Sequence, residues 1–388
     1  MAFHAHRFLL RTGLAIGNVF AWIFVFEYFA FLAGSVPRAF AGVLLMYALS
    51  QAITIILTPI AAAHLLRGTR QALFIAVILA GSAFVTLGAT LGGFFDEGPA
   101  LWGIAVFAIL LGAYRALYFI PYELNRSEIE RVPLRGYIFY EILLALVPAF
   151  AGATLLVETY APLRLLFGAA LLAGVSLLPL YVLSNIRERF SFSYTETFIE
   201  LFAPRNQRLA WVSFLEGVQG AALFLIWPLA VFLIVGWSYV TLGVVFSVTL
   251  LLVILLRMLH RKFVSLTQVH YSASVHVVFA VSGWIARLAA GTPIGVILAD
   301  SYAYTARPPR STLADPFIFE QAADNGSYID ERTALKEIAL AFGRIALVAV
   351  VGLFVSSTPL IIAFAVAIAL AALSAGISAF LARTPTLA

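Results

Sequence analysis

Long apolar runs alternate along the chain with short stretches of charged and turn-forming residues. Each run is about 20 residues or longer, roughly what a helix needs to cross a bilayer core, and about twice the length of a barrel strand. Because backbone groups in lipid must be satisfied within the segment or in a closed barrel, each run is predicted to be a helix. The pattern predicts an all-α polytopic membrane protein with twelve transmembrane helices, at 8–33, 39–66, 71–94, 101–121, 136–157, 163–184, 209–235, 238–257, 263–282, 284–304, 335–355 and 359–382.

The composition of the 388-residue chain agrees with this pattern. Hydrophobic residues make up 63% of the chain and charged residues 11%, against roughly 45–50% and 25% in soluble globular domains. A water-soluble fold of this length would leave large apolar patches exposed, so a soluble protein is excluded. The lack of cysteine excludes a disulfide-rich scaffold.

Positive charges are distributed unequally between the two sides of the predicted bundle. Of the 24 Lys and Arg residues, nineteen lie in connections on the side of the N-terminus, two lie on the other side and three lie within predicted helices. The positive-inside rule then places both termini in the cytoplasm, in a multi-pass protein of the inner (plasma) membrane. This asymmetry accounts for the net charge of +5 without a nucleic-acid partner. Tryptophans at predicted helix ends would form an aromatic belt: Trp102, Trp211, Trp237 and Trp284.

The central connection divides the chain into two sets of six segments. We predict an N-terminal six-helix bundle over 1–184, a cytoplasmic linker over 185–208 and a C-terminal six-helix bundle over 209–388. Within the linker, Ser193-Tyr-Thr-Glu196 has the spacing of a helix capping box. Apolar side chains follow, and they predict an amphipathic linker helix lying on the membrane surface.

A second long connection spans about 305–334. It contains Pro308-Pro309, Asp315-Pro316 and Asp324-Asn325-Gly326, which are turn signals. The composition favours a connecting loop, with a regulatory insert as the alternative.

The two sets of six segments repeat each other. Glu141-Ile-Leu-Leu-Ala-Leu in segment five matches Glu337-Ile-Ala-Leu-Ala-Phe in segment eleven at an offset of 196. Two further pairs, at an offset of 182, relate segment four to segment ten: Trp102 with Trp284, and Tyr122 with Tyr304. Six helices, a basic linker and six equivalent helices in the same orientation predict a parallel repeat about an axis normal to the membrane.

These features resemble the major facilitator superfamily over essentially the full chain, in a short bacterial branch. The resemblance lies in the six-plus-six layout, in the Glu-Ile-x-Leu-Ala repeat and in Arg67-Gly68-Thr69-Arg70, which is similar to the family's basic turn after helix two. The acidic residue that usually precedes this turn is absent, and the equivalent turn at His260-Arg261-Lys262 is degenerate. The resemblance implies secondary transport by alternating access, with helices one, four, seven and ten lining a central cavity.

Ionisable residues within the predicted helices are expensive in lipid unless they face protein or water. They form an acidic set and a basic set: Glu27, Glu141, Glu216, Asp300 and Glu337, with Arg115, Arg287 and Arg344. Five carboxylates against three guanidiniums leave some acids without an internal partner. Such an acid is a candidate proton carrier.

Two polar stripes are candidates for the wall of the implied cavity. Glu216 and Trp227 share one face of segment seven with Gln219 beside them, and Asn18 and Trp22 share a face of segment one. Arg115 and Asp300 lie towards the cytoplasmic ends of segments four and ten, where they could bind, gate or snorkel to water. The predicted substrate cavity therefore contains Asn18, Trp22, Arg115, Glu216, Gln219, Trp227 and Asp300, with Glu216 as the proton-coupling residue. Packing or lipid-facing positions are the alternative for the aromatic residues.

The other buried charges have structural alternatives. Glu27 is turned about 180° from Asn18 and is expected to pair with a neighbouring helix near the outer mouth. Glu337 and Arg344 lie nearly on one face of segment eleven. With Glu141 they could form a structural charge cluster or a gate between the halves. His270 and His276 could relay protons, but packing or hydrogen bonding is the favoured interpretation.

The sequence thus predicts a secondary transporter that moves a small organic solute by alternating access, coupled to protons. Pro148 and Gly152 keep part of a pattern found in family antiporters, which favours export. No nucleotide motif, catalytic motif, metal site or cofactor is expected, so the chain is predicted not to be an enzyme. Its expected partners are the solute, the proton and the lipid bilayer, and we expect a monomer. The alternatives are a non-transporting membrane sensor or scaffold on a transporter fold and an intramembrane transferase.

Overall fold

The computed structural model describes residues 2–93, 97–129, 134–156, 160–267, 273–306 and 329–381. Within these ranges the chain is helical and contains no strand. The first six predicted segments become six helices, of which the second is extended by a 3₁₀ turn at His64–Arg67 and the sixth is followed by one at Leu178–Val182. They are α1 (Ala2–Ala33), α2 (Val36–Ala63), α3 (Thr69–Leu91), α4 (Glu97–Ile129), α5 (Leu134–Thr154) and α6 (Ala161–Val175).

The linker contains one short helix, α7 (Tyr194–Phe202). The predicted capping box is confirmed: Ser193 N–H donates to Glu196 Oε2 at 2.7 Å, and Glu196 N–H donates to Ser193 Oγ at 3.3 Å. These two bonds satisfy backbone donors that a helix N-terminus otherwise leaves without partners. The linker is also tied to the second set of helices, because Ser191 N–H donates to Glu331 Oε1 at 3.2 Å.

The second set of helices follows the linker. Segment seven is broken into α8, a π-helical turn at Ala222–Ile226, and α9. The helices are α8 (Gln207–Ala221), α9 (Trp227–Ile234), α10 (Tyr239–Thr267), α11 (Ala273–Leu288), α12 (Pro293–Ala306), α13 (Ile329–Ser357) and α14 (Leu360–Leu381). Most of the predicted 305–334 connection lies outside the described residues.

The helices have the length and composition of membrane-crossing elements. Nine of the described spans are long and apolar enough to cross a bilayer, and two shorter apolar helices, Ile138–Thr154 and Val277–Leu288, stand in predicted segments five and nine. The prediction of an all-α polytopic membrane protein is confirmed.

The predicted boundary between segments nine and ten is wrong. The helix continues through Gly283 to Leu288, and the turn comes at residues 289–292, before Pro293. Gly283 does not end the helix because it packs closely on α12: a Cβ there would lie 3.0 Å from Ala303 Cα. Trp284 is therefore inside α11 and 1% exposed, so it belongs neither to an aromatic belt nor to a repeat pair with Trp102 of α4.

Two helix pairs make the most extensive contacts between the first six helices and the second six. The contacts run between α2 and α13 and between α5 and α10. The helices of each pair belong to different predicted bundles, so they form most of the interface between them. The bundle boundaries at 184 and 208 stay a prediction.

Different contacts join the elements at the two ends of the bundle. At the end that carries α7, here called the linker end, the turn after α2 rests on the chain leaving α6: Thr69 N–H donates to the Ile186 carbonyl at 2.8 Å, and Arg70 N–H donates to Asn185 Oδ1 at 3.1 Å. At the opposite end, the Tyr239 hydroxyl of α10 donates to Glu27 Oε2 of α1. Glu27 thus has the neighbouring-helix partner that its position predicted.

Candidate functional site

A buried ion pair lies among the helices that follow the linker. Arg287 Nε of α11 donates to Asp300 Oδ1 of α12 at 2.7 Å, and Trp227 Nε1 of α9 donates to Asp300 Oδ2 at 2.8 Å. Asp300 and Arg287 are each 1% exposed. Both carboxylate oxygens are therefore bonded, and three helices meet at this carboxylate.

Aromatic rings surround the guanidinium of Arg287. Its Cζ lies 4.4 Å from the centre of the Trp284 ring and 5.6 Å from the centres of the Trp227 and Tyr304 rings. All three distances fall within the range of cation–π attraction. Among the described residues, the two terminal nitrogens Nη1 and Nη2 have no hydrogen-bond acceptor.

The backbone beside this cluster departs from regular α-helix. The π-helical turn at Ala222–Ile226 ends where Trp227 begins α9, and Pro228 comes next. A proline cannot donate a backbone hydrogen bond, and a π turn is one way in which a membrane helix accommodates the loss. Such turns are frequent at functional sites.

A second polar cluster lies between the two sets of helices, about midway along α2 and α13. Arg344 Nη1 of α13 donates to Gln51 Oε1 of α2 at 3.1 Å. The Arg115 guanidinium of α4 lies 5.7 Å from the Tyr47 ring centre, and Trp22 of α1 packs edge-on against the same ring at 5.4 Å. These contacts bring together α1, α2, α4 and α13.

Charge in this second cluster is incompletely paired within the described part of the chain. Glu337 Oε2 and Arg115 Nη1 are buried atoms without a hydrogen-bond partner there, and Glu337 is 6% exposed. Glu141, which was predicted to join Glu337 and Arg344, does not lie in this cluster. Glu141 of α5 instead pairs with Arg11 of α1 at 3.3 Å on a partly exposed surface.

Comparison with known proteins identifies the fold. No protein-family model matches the chain, and no curated protein matches it. Solved structures do match: a D-xylose–proton symporter has a TM-score of 0.67 at 14% identity, covering 99% of this chain and 96% of that one. A mutant peptide transporter (0.59, 13%, 98% and 94%) and the nucleoside transporter NupG (0.55, 13%, 98% and 97%) are also similar. The chain has the major facilitator fold.

Only some of the predicted cavity residues come together in this fold. Trp227 and Asp300 come together in the buried ion-pair cluster, and Trp22 and Arg115 meet at Tyr47. Gln219 is directed elsewhere, since its side-chain amide donates to Ser378 Oγ of α14 at 3.1 Å.

Glu216 lies on α8, one turn before the residue that approaches Arg344. It is half-buried, and one turn further along a Cβ at Gly220 would lie 3.7 Å from Arg344 Nε. Asn18 is half-buried, with Oδ1 unbonded to any described residue. The transport roles of these two residues stay predictions. His270 and the side chain of His276 lie outside what the structure describes.

Sequence reasoning did not single out Arg287, Gln51 or Tyr47 as site residues. The snorkelling alternative for Asp300 is wrong, because its carboxylate is buried and bonded to Arg287 and Trp227. A signal for Arg287 was available: it is an arginine within an apolar segment, and intramembrane charges seek partners.

Proposed function

We propose that this protein is a secondary transporter that moves a small organic solute by rocking of its two six-helix halves. The observation that carries the proposal is the Arg344–Gln51 bond, a polar contact from one half to the other about midway along α13 and α2. Substrate sites of this fold lie at the interface of the halves near the midplane. The similar structures are named as transporters of xylose, peptides and nucleosides.

The halves in this proposal are 1–184 and 209–388, joined by the linker at 185–208. The nineteen basic residues on the linker side support a cytoplasmic linker end with both termini in the cytoplasm of an inner-membrane protein. Gly243 of α10 lies directly against the Pro148 carbonyl oxygen of α5. This close packing supports α5 and α10 as the pivot about which the halves rock. Export is the direction we propose, on the Pro148 and Gly152 pattern.

The solute path in this proposal follows the second polar cluster. Trp22 and Arg115 line it from the first half, and Glu216 lines it from the second. Glu216 carries the coupling proton, since it is a half-buried carboxylate on α8, one turn before Gly220, whose Cβ would lie 3.7 Å from Arg344 Nε. A proton can cross the membrane with the solute only if a buried group binds it on one side and releases it on the other, and a carboxylate can do both.

Transport in proteoliposomes with an imposed pH gradient tests the proposal. A panel of labelled sugars, nucleosides, dipeptides and monocarboxylates is offered, and we expect at least one to accumulate against its own gradient. Glu216→Gln should keep solute exchange but lose accumulation driven by the pH gradient, whereas the exposed Glu188→Gln control should keep both. Intact coupling in Glu216→Gln would show that the proton role is wrong, and an absence of any solute-dependent movement would favour the sensor alternative.

A further inference from the structure

We infer that Arg287 binds the carboxylate of a small organic monoanion inside the second half, and that Asp300 takes up a proton as the anion binds. The inference deepens the proposed transport function and rests on it. It assigns a substrate class and a second site, distinct from the Arg344–Gln51 contact between the halves.

The first argument is the number of donors that Arg287 leaves unused. A guanidinium carries five N–H donors in a planar fork. Only Nε–H is bonded, to Asp300, and Nη1 and Nη2 are buried without an acceptor among the described residues. A buried charged donor without a partner is costly, and a carboxylate offers the two coplanar oxygens that match such a fork.

The second argument is the surroundings of the fork. Trp284, Trp227 and Tyr304 flank the guanidinium at 4.4, 5.6 and 5.6 Å. Aromatic walls exclude water, and they suit a ligand with a flat or apolar body. One arginine in such walls favours a monocarboxylate over a phosphate or a dicarboxylate, each of which would require further positive charge.

The third argument is the charge balance of the cluster. Asp300 faces Arg287 from α11, Trp227 from α9 and the Tyr304 residue of its own helix, whose carbonyl accepts from Arg257 Nη2 of α10 at 2.9 Å. Arg257 is only half-buried, so the fully buried charges of the site are those of Arg287 and Asp300, which cancel each other while the site is empty. An added carboxylate would leave a buried net negative charge, and two carboxylates that share one site do not both stay ionised.

The proton therefore goes to Asp300. Protonated Asp300 is neutral and can donate its O–H, while the Arg287 guanidinium pairs with the ligand carboxylate. One anion and one proton then enter together, and the loaded site is electrically neutral. Such cotransport is reversible, so its direction follows the two gradients and is compatible with export.

Intrinsic tryptophan fluorescence of the full-length protein in detergent tests binding, because Trp227 and Trp284 border the site. The probes are formate, propionate and benzoate, each compared with its neutral amide. We expect a saturable change with at least one acid and none with its amide. Arg287→Lys should weaken binding about tenfold or more, the cost of replacing a fork by a point donor at about 1.4 kcal/mol per tenfold change. The exposed Trp102→Phe variant is the matched control and should bind normally.

Proton uptake measured in weakly buffered solution tests the proposed protonation of Asp300. We expect about one proton per bound acid, because the loaded site must stay neutral. Asp300→Asn keeps a neutral side chain of the same shape, so it should bind the acid without taking up a proton. The exposed Glu188→Gln variant should leave both binding and uptake at this site unchanged. Both are measured in detergent without a membrane gradient, so they are read independently of the transport role proposed for Glu216. Absence of binding by all three acids, equal binding of the amides, or normal proton uptake in Asp300→Asn would overturn the inference.

Discussion

The indole N–H of Trp227 donates to Oδ2 of Asp300 at 2.8 Å, and this bond fixes the helix that follows the π turn against α12. Arg287 donates to the other carboxylate oxygen at 2.7 Å. A single carboxylate thereby holds three helices, and it does so where almost no water reaches. The stability of the second half should depend on this group.

Asp300→Ala should lower the free energy of unfolding by about 3–5 kcal/mol, because it leaves the Arg287 charge buried without a counter-charge. Arg287→Met combined with Asp300→Ala should cost less than Asp300→Ala alone, since the double variant removes both charges. Unfolding in mixed detergent and sodium dodecyl sulfate, followed by circular dichroism, measures the difference. A double variant less stable than Asp300→Ala would contradict this account of the pair.

The all-helical character of the chain could be predicted from the sequence because the physical requirement is local. A run of about 20 apolar residues must be a helix in lipid whatever packs around it. The capping box at Ser193 and Glu196 was predictable for the same reason, since both partners lie within one turn.

The Arg287–Asp300 pair could not be predicted, and the cause is one helix boundary. In a single helix over 284–304, the two residues would be 13 positions apart, or about 20 Å along the axis, too far to touch. The turn at 289–292 folds α12 back on α11 and brings them together. That turn was misplaced because Gly283 interrupts the apolar run as a helix breaker would, yet it serves close packing on Ala303.

A second prediction concerns the contact of α8 with α13. A Cβ at Gly343 would collide with the Phe214 carbonyl oxygen, and a Cβ at Gly217 would collide with the Leu340 carbonyl oxygen. Gly343→Ala should push the helices apart and cost about 1–3 kcal/mol, as overpacking does. Gly168→Ala in α6 is the matched control, because nothing lies within 4 Å of a Cβ there. Its effect on unfolding should be neutral or slightly stabilising, and an equal loss in both variants would show that close packing is not the cause.

A third prediction concerns the tie between Glu27 and Tyr239. Tyr239→Phe removes the hydroxyl that donates to Glu27 and leaves a part-buried carboxylate without that bond. The expected cost is about 1–3 kcal/mol in unfolding free energy. Glu27→Gln keeps an acceptor oxygen and should lose less. The reverse order of the two variants in the same unfolding assay would show that the hydrogen bond is not what stabilises this end.

A fourth prediction concerns the pH dependence of the linker helix. Hydrogen bonds from the Ser193 backbone N–H and then from its hydroxyl lower the pKa of Glu196 below its ordinary value. Since the folded pKa is lowered, the stabilisation is present above the ordinary glutamate pKa and is lost as pH falls through the folded pKa. Hydrogen exchange of the α7 amides, corrected for intrinsic rates, should therefore accelerate in acid. Glu196→Gln should abolish this acceleration, and its persistence would assign the effect to another group.

The proposal of alternating access is tested most directly by distances between the two halves. The chain has no cysteine, so spin labels can be placed at will on exposed residues: Phe31 with Ile361 at the opposite end, and Leu66 with Met258 at the linker end. Double electron–electron resonance gives the distance distribution for each of these two double-cysteine variants. The measurements are made in lipid nanodiscs, at acidic and alkaline pH and with the solute panel. The account predicts that one end widens while the other narrows. Distances that stay fixed at both ends, or that change in the same direction, would contradict it.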